Sequence, residues 1–74
     1  MPTLTNVSGR DAVKVFVKAG YTHVHTSGDH AILQKESSPN LSIPLLKAVA
    51  RFLLISQIRR AGLTESEFLK LLKK

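Results

Sequence analysis

The sequence has no cysteine and few acidic residues, and both shortages limit what it can do. Without cysteine, the chain can form neither a disulfide framework nor a zinc site built on thiolates, so a metal would need histidines or carboxylates as ligands. This composition suits the reducing cytoplasm, where we expect the protein to act. A chain of 74 residues has room for only a thin core, and we expect residues 1–74 to form a single domain.

Segments that would enter a membrane are also missing. Residues 1–6 lack the basic and apolar regions of a secretory signal peptide. The longest nearly apolar stretch, 48–58, is broken by Arg51, Ser56 and Gln57. It is shorter than the roughly 20 residues that cross a bilayer. We therefore expect a soluble protein with no membrane partner.

Several common catalytic motifs are absent as well. No serine lies in a G-x-S-x-G elbow, and the glycines are too far apart for a P-loop or a dinucleotide-binding turn. Glu65 and Glu67 fall where a helix begins, which accounts for them without a pair of catalytic carboxylates. Acid–base chemistry is therefore left to the histidines, assisted by basic residues.

The chain does contain a large excess of positive charge. Lys and Arg number 11 against 5 Asp and Glu, which gives a formal net charge of +6. Cations that neutralise phosphates release condensed counterions, and this release favours binding to nucleic acid. The balance indicates a polyanionic partner, although many basic proteins have none.

The first element is predicted to be a helix over residues 9–19. Ser8 and Asp11 have the spacing of a capping box, and Gly20 follows the last turn as a helix-ending glycine. Apolar residues recur at helical spacing at Ala12, Val13, Phe16 and Val17. Basic residues four apart form a stripe on the opposite side, which is either a solvated face or a phosphate-binding one: Arg10, Lys14 and Lys18.

Three short antiparallel strands are expected next. Residues 21–26 and 30–35 are rich in β-branched and aromatic side chains and flank a Gly-Asp turn, as in a hairpin. A second turn leads to a third strand over 41–43, which Pro44 ends. Strict alternation would place His23 and His25 on one face.

The remainder of the chain is predicted to form two helices. Residues 45–61 are apolar nearly all round, so this helix either lies in the core or covers an interface, with a homodimer through residues 45–58 as one possibility. Thr64 and Glu67 repeat the capping-box spacing before a short last helix. The predicted order is α-β-β-β-α-α, an α+β fold with a three-stranded antiparallel sheet packed against helices.

The histidines offer two kinds of site. His23, His25 and His30 could together hold zinc if the hairpin register brought them close, but strand histidines are more often plain surface residues, and we expect no metal or other cofactor. His30 follows Gly28 and Asp29 directly at the hairpin turn. An unperturbed histidine, with a pKa of about 6.5, can transfer protons near neutral pH.

The order and spacing of several short motifs resemble the HicA-like (YcfA-like) toxins of bacterial and archaeal toxin–antitoxin systems. The resemblance covers nearly the whole chain. It rests on a Ser-Gly helix start, a Gly-aromatic helix end, a turn ending in histidine, a strand ending in proline, and an Ala-Gly-hydrophobic helix end followed by phenylalanine. In this sequence these are Ser8-Gly9, Gly20-Tyr21, Gly28-Asp29-His30, Ile43-Pro44, Ala61-Gly62-Leu63 and Phe68.

The resemblance implies a fold similar to a double-stranded-RNA-binding domain and an mRNA-cleaving ribonuclease activity that needs no metal. His30 would be the catalytic residue, acting as general base or acid and positioned by Gly28 and Asp29. A HicB-like antitoxin protein would be the partner that covers this site. Basic side chains would hold the RNA phosphates, namely Lys35, Lys47 and Arg51, with Arg10, Lys14 and Lys18 as further candidates.

The sequence departs from the family pattern near the site that the resemblance implies. Asp29 replaces a serine, and Leu46 stands where a second histidine is frequent. Phe52-Leu53 replaces the Gly-Thr that usually starts the second helix, and Ile55 replaces a basic residue. These changes leave an alternative open, namely a catalytically inactive RNA-binding or partner-binding domain on the same scaffold.

Overall fold

The computed structural model describes residues 6–73, which form an α+β fold with one open sheet. The three strands are antiparallel and lie in the order β1-β2-β3. The predicted order of elements and the fold class are confirmed. The elements are α1 (Gly9–Lys18), β1 (Thr22–Ser27), β2 (His30–Gln34), β3 (Leu41–Pro44), α2 (Arg51–Arg60) and α3 (Glu65–Leu72).

Helix α1 begins and ends as its sequence predicts, to within one residue. The Ser8 hydroxyl accepts a hydrogen bond from the Asp11 backbone N–H at 3.1 Å, and Gly20 follows the helix with φ +108°. The buried face consists of Ala12, Val15 and Phe16. Val17, predicted to lie on that face, is 45% exposed.

Strand β1 contains a bulge that the alternating pattern did not predict. His23 pairs with Leu33 and His25 pairs with Ile32, so Val24 is an extra residue opposite β2. Directly paired residues share a face, and Leu33 and Ile32 lie on opposite faces. The prediction that His23 and His25 share one face is therefore wrong.

The predicted helix 45–61 is wrong in its first six residues, because α2 begins only at Arg51. The backbone of residues 45–50 makes hydrogen bonds to distant segments instead. The Val49 N–H donates to the Val7 carbonyl at 2.8 Å, and the Leu46 carbonyl accepts from the Gly9 N–H at 2.9 Å. These bonds tie the segment to the residues that begin α1.

Helix α2 runs antiparallel to β3 along the edge of the sheet. Near the end of the helix, the Arg60 Nε donates a hydrogen bond to the Asn40 carbonyl at 2.9 Å. One turn earlier, the Gln57 side-chain oxygen accepts from the Ser42 N–H at 3.4 Å. The start of α2 therefore lies toward the end of β3. None of the helices within residues 6–73 has the length and apolar character needed to cross a bilayer.

The core lies between the sheet and helices α1 and α2, and α3 packs against those two helices. A complete capping box starts α3, since the Thr64 hydroxyl accepts from the Glu67 N–H and the Glu67 carboxylate accepts from the Thr64 N–H. The helix places Phe68, which is fully buried, 5.4 Å from Phe16 between ring centroids. Tyr21 packs edge-on against the same Phe16 ring at 6.1 Å. Three aromatic rings thus form the centre of the core.

Candidate functional site

The β1–β2 turn delivers His30 to one end of the sheet. Gly28 has φ +58°, a conformation that side chains with a Cβ adopt at a cost, although a Cβ there would meet no atom within 4 Å. His30 is the first residue of the central strand and pairs with Ser27 on one side and Pro44 on the other. Its side chain is exposed. The imidazole is therefore open to a ligand while its backbone is held by both neighbouring strands.

The three histidines divide between the two faces of the sheet. His30 lies two residues before Ile32 and so shares its face, which is opposite to the buried Leu33. His25 pairs with Ile32 and lies on the same face as His30, whereas His23 lies on the other and forms a 3.0 Å hydrogen bond with the Thr26 hydroxyl. Within residues 6–73, no three histidine or carboxylate side chains come together as metal ligands. The bulge removes the geometric basis for a three-histidine site.

Two backbone hydrogen bonds join the turn to the start of α1. The Leu45 N–H donates to the Asp29 carbonyl at 2.6 Å, and the Gly9 N–H donates to the Leu46 carbonyl at 2.9 Å. A Cβ on Gly9 would overlap the Pro44 carbonyl oxygen and lie 2.7 Å from the Leu45 Cα. Only glycine allows this close approach, which accounts for the Ser-Gly helix start noted in the sequence.

Replacing Gly9 with alanine is expected to destabilise the fold, although alanine usually stabilises a helix by about 0.5–1 kcal/mol relative to glycine. The overlap is with backbone atoms that cannot rotate away, so we expect a loss of about 1–3 kcal/mol. Urea denaturation measures the free energy of unfolding. As a control, Ser56→Ala at an exposed position of α2 should change it by less than about 0.5 kcal/mol. A Gly9→Ala variant as stable as the parent would show that α1 is not held this closely.

The start of α2 lies level with His30 along the sheet. Arg51 precedes Gln57 by six residues, or about 9 Å at the helical rise of about 1.5 Å per residue. Pro44 lies two residues beyond Ser42, or about 7 Å along the strand. The hydrogen bond between Gln57 and Ser42 fixes the helix beside the strand, so Arg51 and Pro44 lie at similar heights along the strand direction. Pro44 pairs with His30, and the start of α2 is therefore level with His30.

Three of the predicted RNA-binding cations lie at this end of the molecule. Arg10 follows Gly9 at the start of α1, Lys47 follows the bonded Leu46, and Arg51 begins α2. All three side chains are exposed. The fold thus places cations from three segments at the same end of the molecule. Their role in binding RNA stays a prediction.

The other predicted cations lie farther from the turn. Lys35 Nζ donates to the Ala19 carbonyl at 3.2 Å and stands 5.7 Å from the centre of the Tyr21 ring, at the far end of α1. Lys18 Nζ donates to the Leu71 carbonyl at 3.3 Å. Lys14 is exposed midway along α1. Since the ten residues of α1 span about 15 Å, Lys18 and Lys35 are not brought to His30.

Two apolar side chains near the site are exposed. A helix over residues 45–61 that lay wholly in the core would have buried both of them. Leu46 is 53% exposed and Phe52 is 80% exposed. Leu54 and Ile58 on the same helix are buried. One side of α2 therefore packs into the core, whereas Phe52 lies in solvent. The sequence is apolar nearly all round this helix and does not distinguish the two sides.

Comparison with known proteins agrees with this geometry. A family model described as the HicA toxin of bacterial toxin–antitoxin matches residues 9–63. No curated protein and no solved structure matches the chain. The matched range runs from the start of α1 past the end of α2, and it includes the histidine turn and the segment bonded to it. The chain belongs to the HicA toxin family of bacterial toxin–antitoxin systems.

Proposed function

We propose that this toxin is a metal-independent ribonuclease that cleaves mRNA in the cytoplasm, with His30 as its general acid or base. The observation that carries the proposal is the exposed His30 imidazole at the end of the central strand. Cationic side chains from three other segments lie at the same end. We also propose that residues 1–74 form a single domain.

The cleavage needs only groups that this end of the sheet offers. As a base, His30 takes the proton from a ribose 2′-hydroxyl, whose oxygen attacks the adjacent phosphorus. The bond from phosphorus to the 5′ oxygen breaks, leaving a 2′,3′-cyclic phosphate, and the 5′ oxygen takes a proton from water. As an acid, His30 instead donates the proton that the 5′ oxygen takes, and water receives the proton of the 2′-hydroxyl. One imidazole serves one of these two transfers in each turnover.

Basic side chains supply the electrostatic part of the mechanism. Arg10, Lys47 and Arg51 are candidates to hold the scissile phosphate and stabilise the charge that develops on it. Helix α2 has no acidic residue in its first turn, so no carboxylate there opposes a phosphate. Asp29 lies directly before His30 and has an exposed side chain, which these cations would offset.

Purified protein is expected to cleave single-stranded RNA in the presence of EDTA, because no step of the mechanism uses a metal. An oligonucleotide in which every ribose is replaced by 2′-deoxyribose should remain intact, since it lacks the attacking hydroxyl. Gel electrophoresis of end-labelled oligonucleotides measures both results. Intact RNA, or equal cleavage of the deoxy control, would refute the mechanism.

A second candidate function is RNA binding without cleavage. The observation that favours it is Leu46, which stands at the position where the family frequently has a second histidine, with its side chain 53% exposed. This candidate predicts RNA that is bound but not cut. With roughly six phosphate contacts, affinity should then fall about 10³-fold between 50 and 200 mM salt.

The protein partner in either case is an antitoxin, and we propose that it is HicB-like and covers the histidine turn. A homodimer through residues 45–58 is a further proposal, which the exposed Leu46 side chain supports. Val49, Leu54 and Ile58 in the same segment are buried within the chain. Only the exposed part of the segment is therefore free to contact a second copy.

A further inference from the structure

Phe52 differs from the other aromatic residues of the chain in its exposure. The sequence has three phenylalanines and one tyrosine. Phe16 and Phe68 are fully buried, and Tyr21 is 3% exposed. Phe52, also within the part of the chain that the structure describes, is 80% exposed. Its ring adds almost nothing to the core, so packing does not explain why an aromatic residue stands at this position.

The ring projects from the first turn of α2, beside cations. Phe52 follows Arg51, and both lie level with Pro44 and His30 along the sheet. Lys47 is exposed in the segment that leads to the helix. An exposed aromatic ring and exposed cations, at the helix end that is level with His30, match the two parts of a nucleotide, which are a planar base and an anionic phosphate.

We propose that Phe52 is a stacking platform for an unpaired base of the RNA substrate, and that it thereby positions the neighbouring phosphate at His30. This proposal rests on the ribonuclease function proposed above. It adds that the substrate is single-stranded at the cleavage site, because a base within a duplex has both faces covered by its neighbours.

The surroundings of the ring favour RNA over a protein partner. Lysine is depleted at the centre of protein interfaces, whereas Lys47 is exposed in the segment that leads to the helix of Phe52. The net charge of +6 also favours a polyanionic partner. Stacking on one aromatic side chain changes affinity by roughly 5- to 150-fold per base. It depends on an aromatic plane, which an aliphatic side chain of similar size does not provide.

The absence of tryptophan allows a direct test. Phe52→Trp would place the only tryptophan of the chain at the proposed stacking position, and a base stacked on it should quench its fluorescence. The measurement uses the His30→Ala background so that little RNA is consumed. We expect saturable quenching by a single-stranded RNA of about ten nucleotides, and little quenching by the duplex of the same sequence.

The matched control is Val17→Trp, also in the His30→Ala background. Val17 is 45% exposed and lies near the end of α1 that is remote from the turn. The fluorescence of the Val17→Trp variant should change little at RNA concentrations that saturate the Phe52→Trp variant. Equal quenching at both positions, or by single strand and duplex alike, would overturn the proposal.

Affinities of two further variants separate stacking from general apolar contact. Phe52→Leu should weaken binding to the single strand at least fivefold, whereas Phe52→Tyr should bind within about twofold of the parent. Unchanged affinity in Phe52→Leu would overturn the proposal. If the parent cleaves RNA but Phe52→Trp shows no quenching, only the stacking inference fails. If the parent neither binds nor cleaves RNA, the proposed function fails with it.

Discussion

Replacing His30 with alanine is expected to slow RNA cleavage by about 10²–10⁴-fold, the usual contribution of one positioned acid or base. Residual cleavage would come from the cations that hold the phosphate. The measurement is the single-turnover rate constant for a fluorescent RNA oligonucleotide in EDTA. Binding of the same RNA should change little, because one imidazole adds little to the phosphate affinity that several cations provide.

His23→Ala is the matched control for this prediction. His23 lies on the opposite face of the sheet and is hydrogen-bonded to Thr26, so its loss should leave the rate within about twofold. Both variants should have the far-ultraviolet circular dichroism of the parent, since both side chains are exposed. If His30→Ala cleaves as fast as His23→Ala, the catalytic assignment is wrong or a contaminating nuclease is being measured.

Replacing Phe68 with alanine is expected to lower the free energy of unfolding by about 3–5 kcal/mol. The ring is fully buried, and it packs against Phe16, which is itself fully buried. Natural domains are stable by only about 5–15 kcal/mol, and a small one lies near the lower limit. We therefore expect Phe68→Ala to be partly unfolded at 37 °C, as thermal denaturation followed by circular dichroism would show.

Two substitutions nearby provide controls for the Phe68 prediction. Lys70→Ala, at an exposed position of the same helix, should change stability by less than about 0.5 kcal/mol. Phe68→Leu keeps most of the buried volume and should cost less than alanine. A loss below about 1 kcal/mol in Phe68→Ala would mean that α3 does not contribute to the core. The result matters because α3 lies outside the range 9–63 that matches the family.

Local signals in the sequence were sufficient to predict most of the elements. The capping-box spacings that begin at Ser8 and Thr64 each predicted a helix, and both helices form. The Ser8 hydroxyl accepts from the Asp11 N–H, and both reciprocal bonds of the box are present at Thr64 and Glu67. The Gly28-Asp29 turn likewise predicted the hairpin. These signals are reliable because the interactions that they describe join residues only a few positions apart.

Predictions failed where the deciding contacts are distant in sequence. The apolar run from residue 45 suggests a helix, but bonds to Asp29, Val7 and Gly9 hold residues 45–50 in another conformation. The bulge at Val24 has no marker in an alternating strand pattern. For the same reason, the sequence identified His30 as a candidate but not which cations lie at the same end of the molecule, since that depends on how α1, β3 and α2 meet.

The edges of the sheet have a consequence for self-association. An open β-sheet exposes unpaired backbone groups on its outer strands, and these can recruit a strand from another molecule. Along β3, the side chain of Gln57 occupies the Ser42 N–H and the side chain of Arg60 occupies the Asn40 carbonyl. Along β1, the bulge at Val24 distorts the regular row of donors and acceptors. Both edges are thus poor templates for strand addition, which protects a toxin of this size from aggregating through its own sheet.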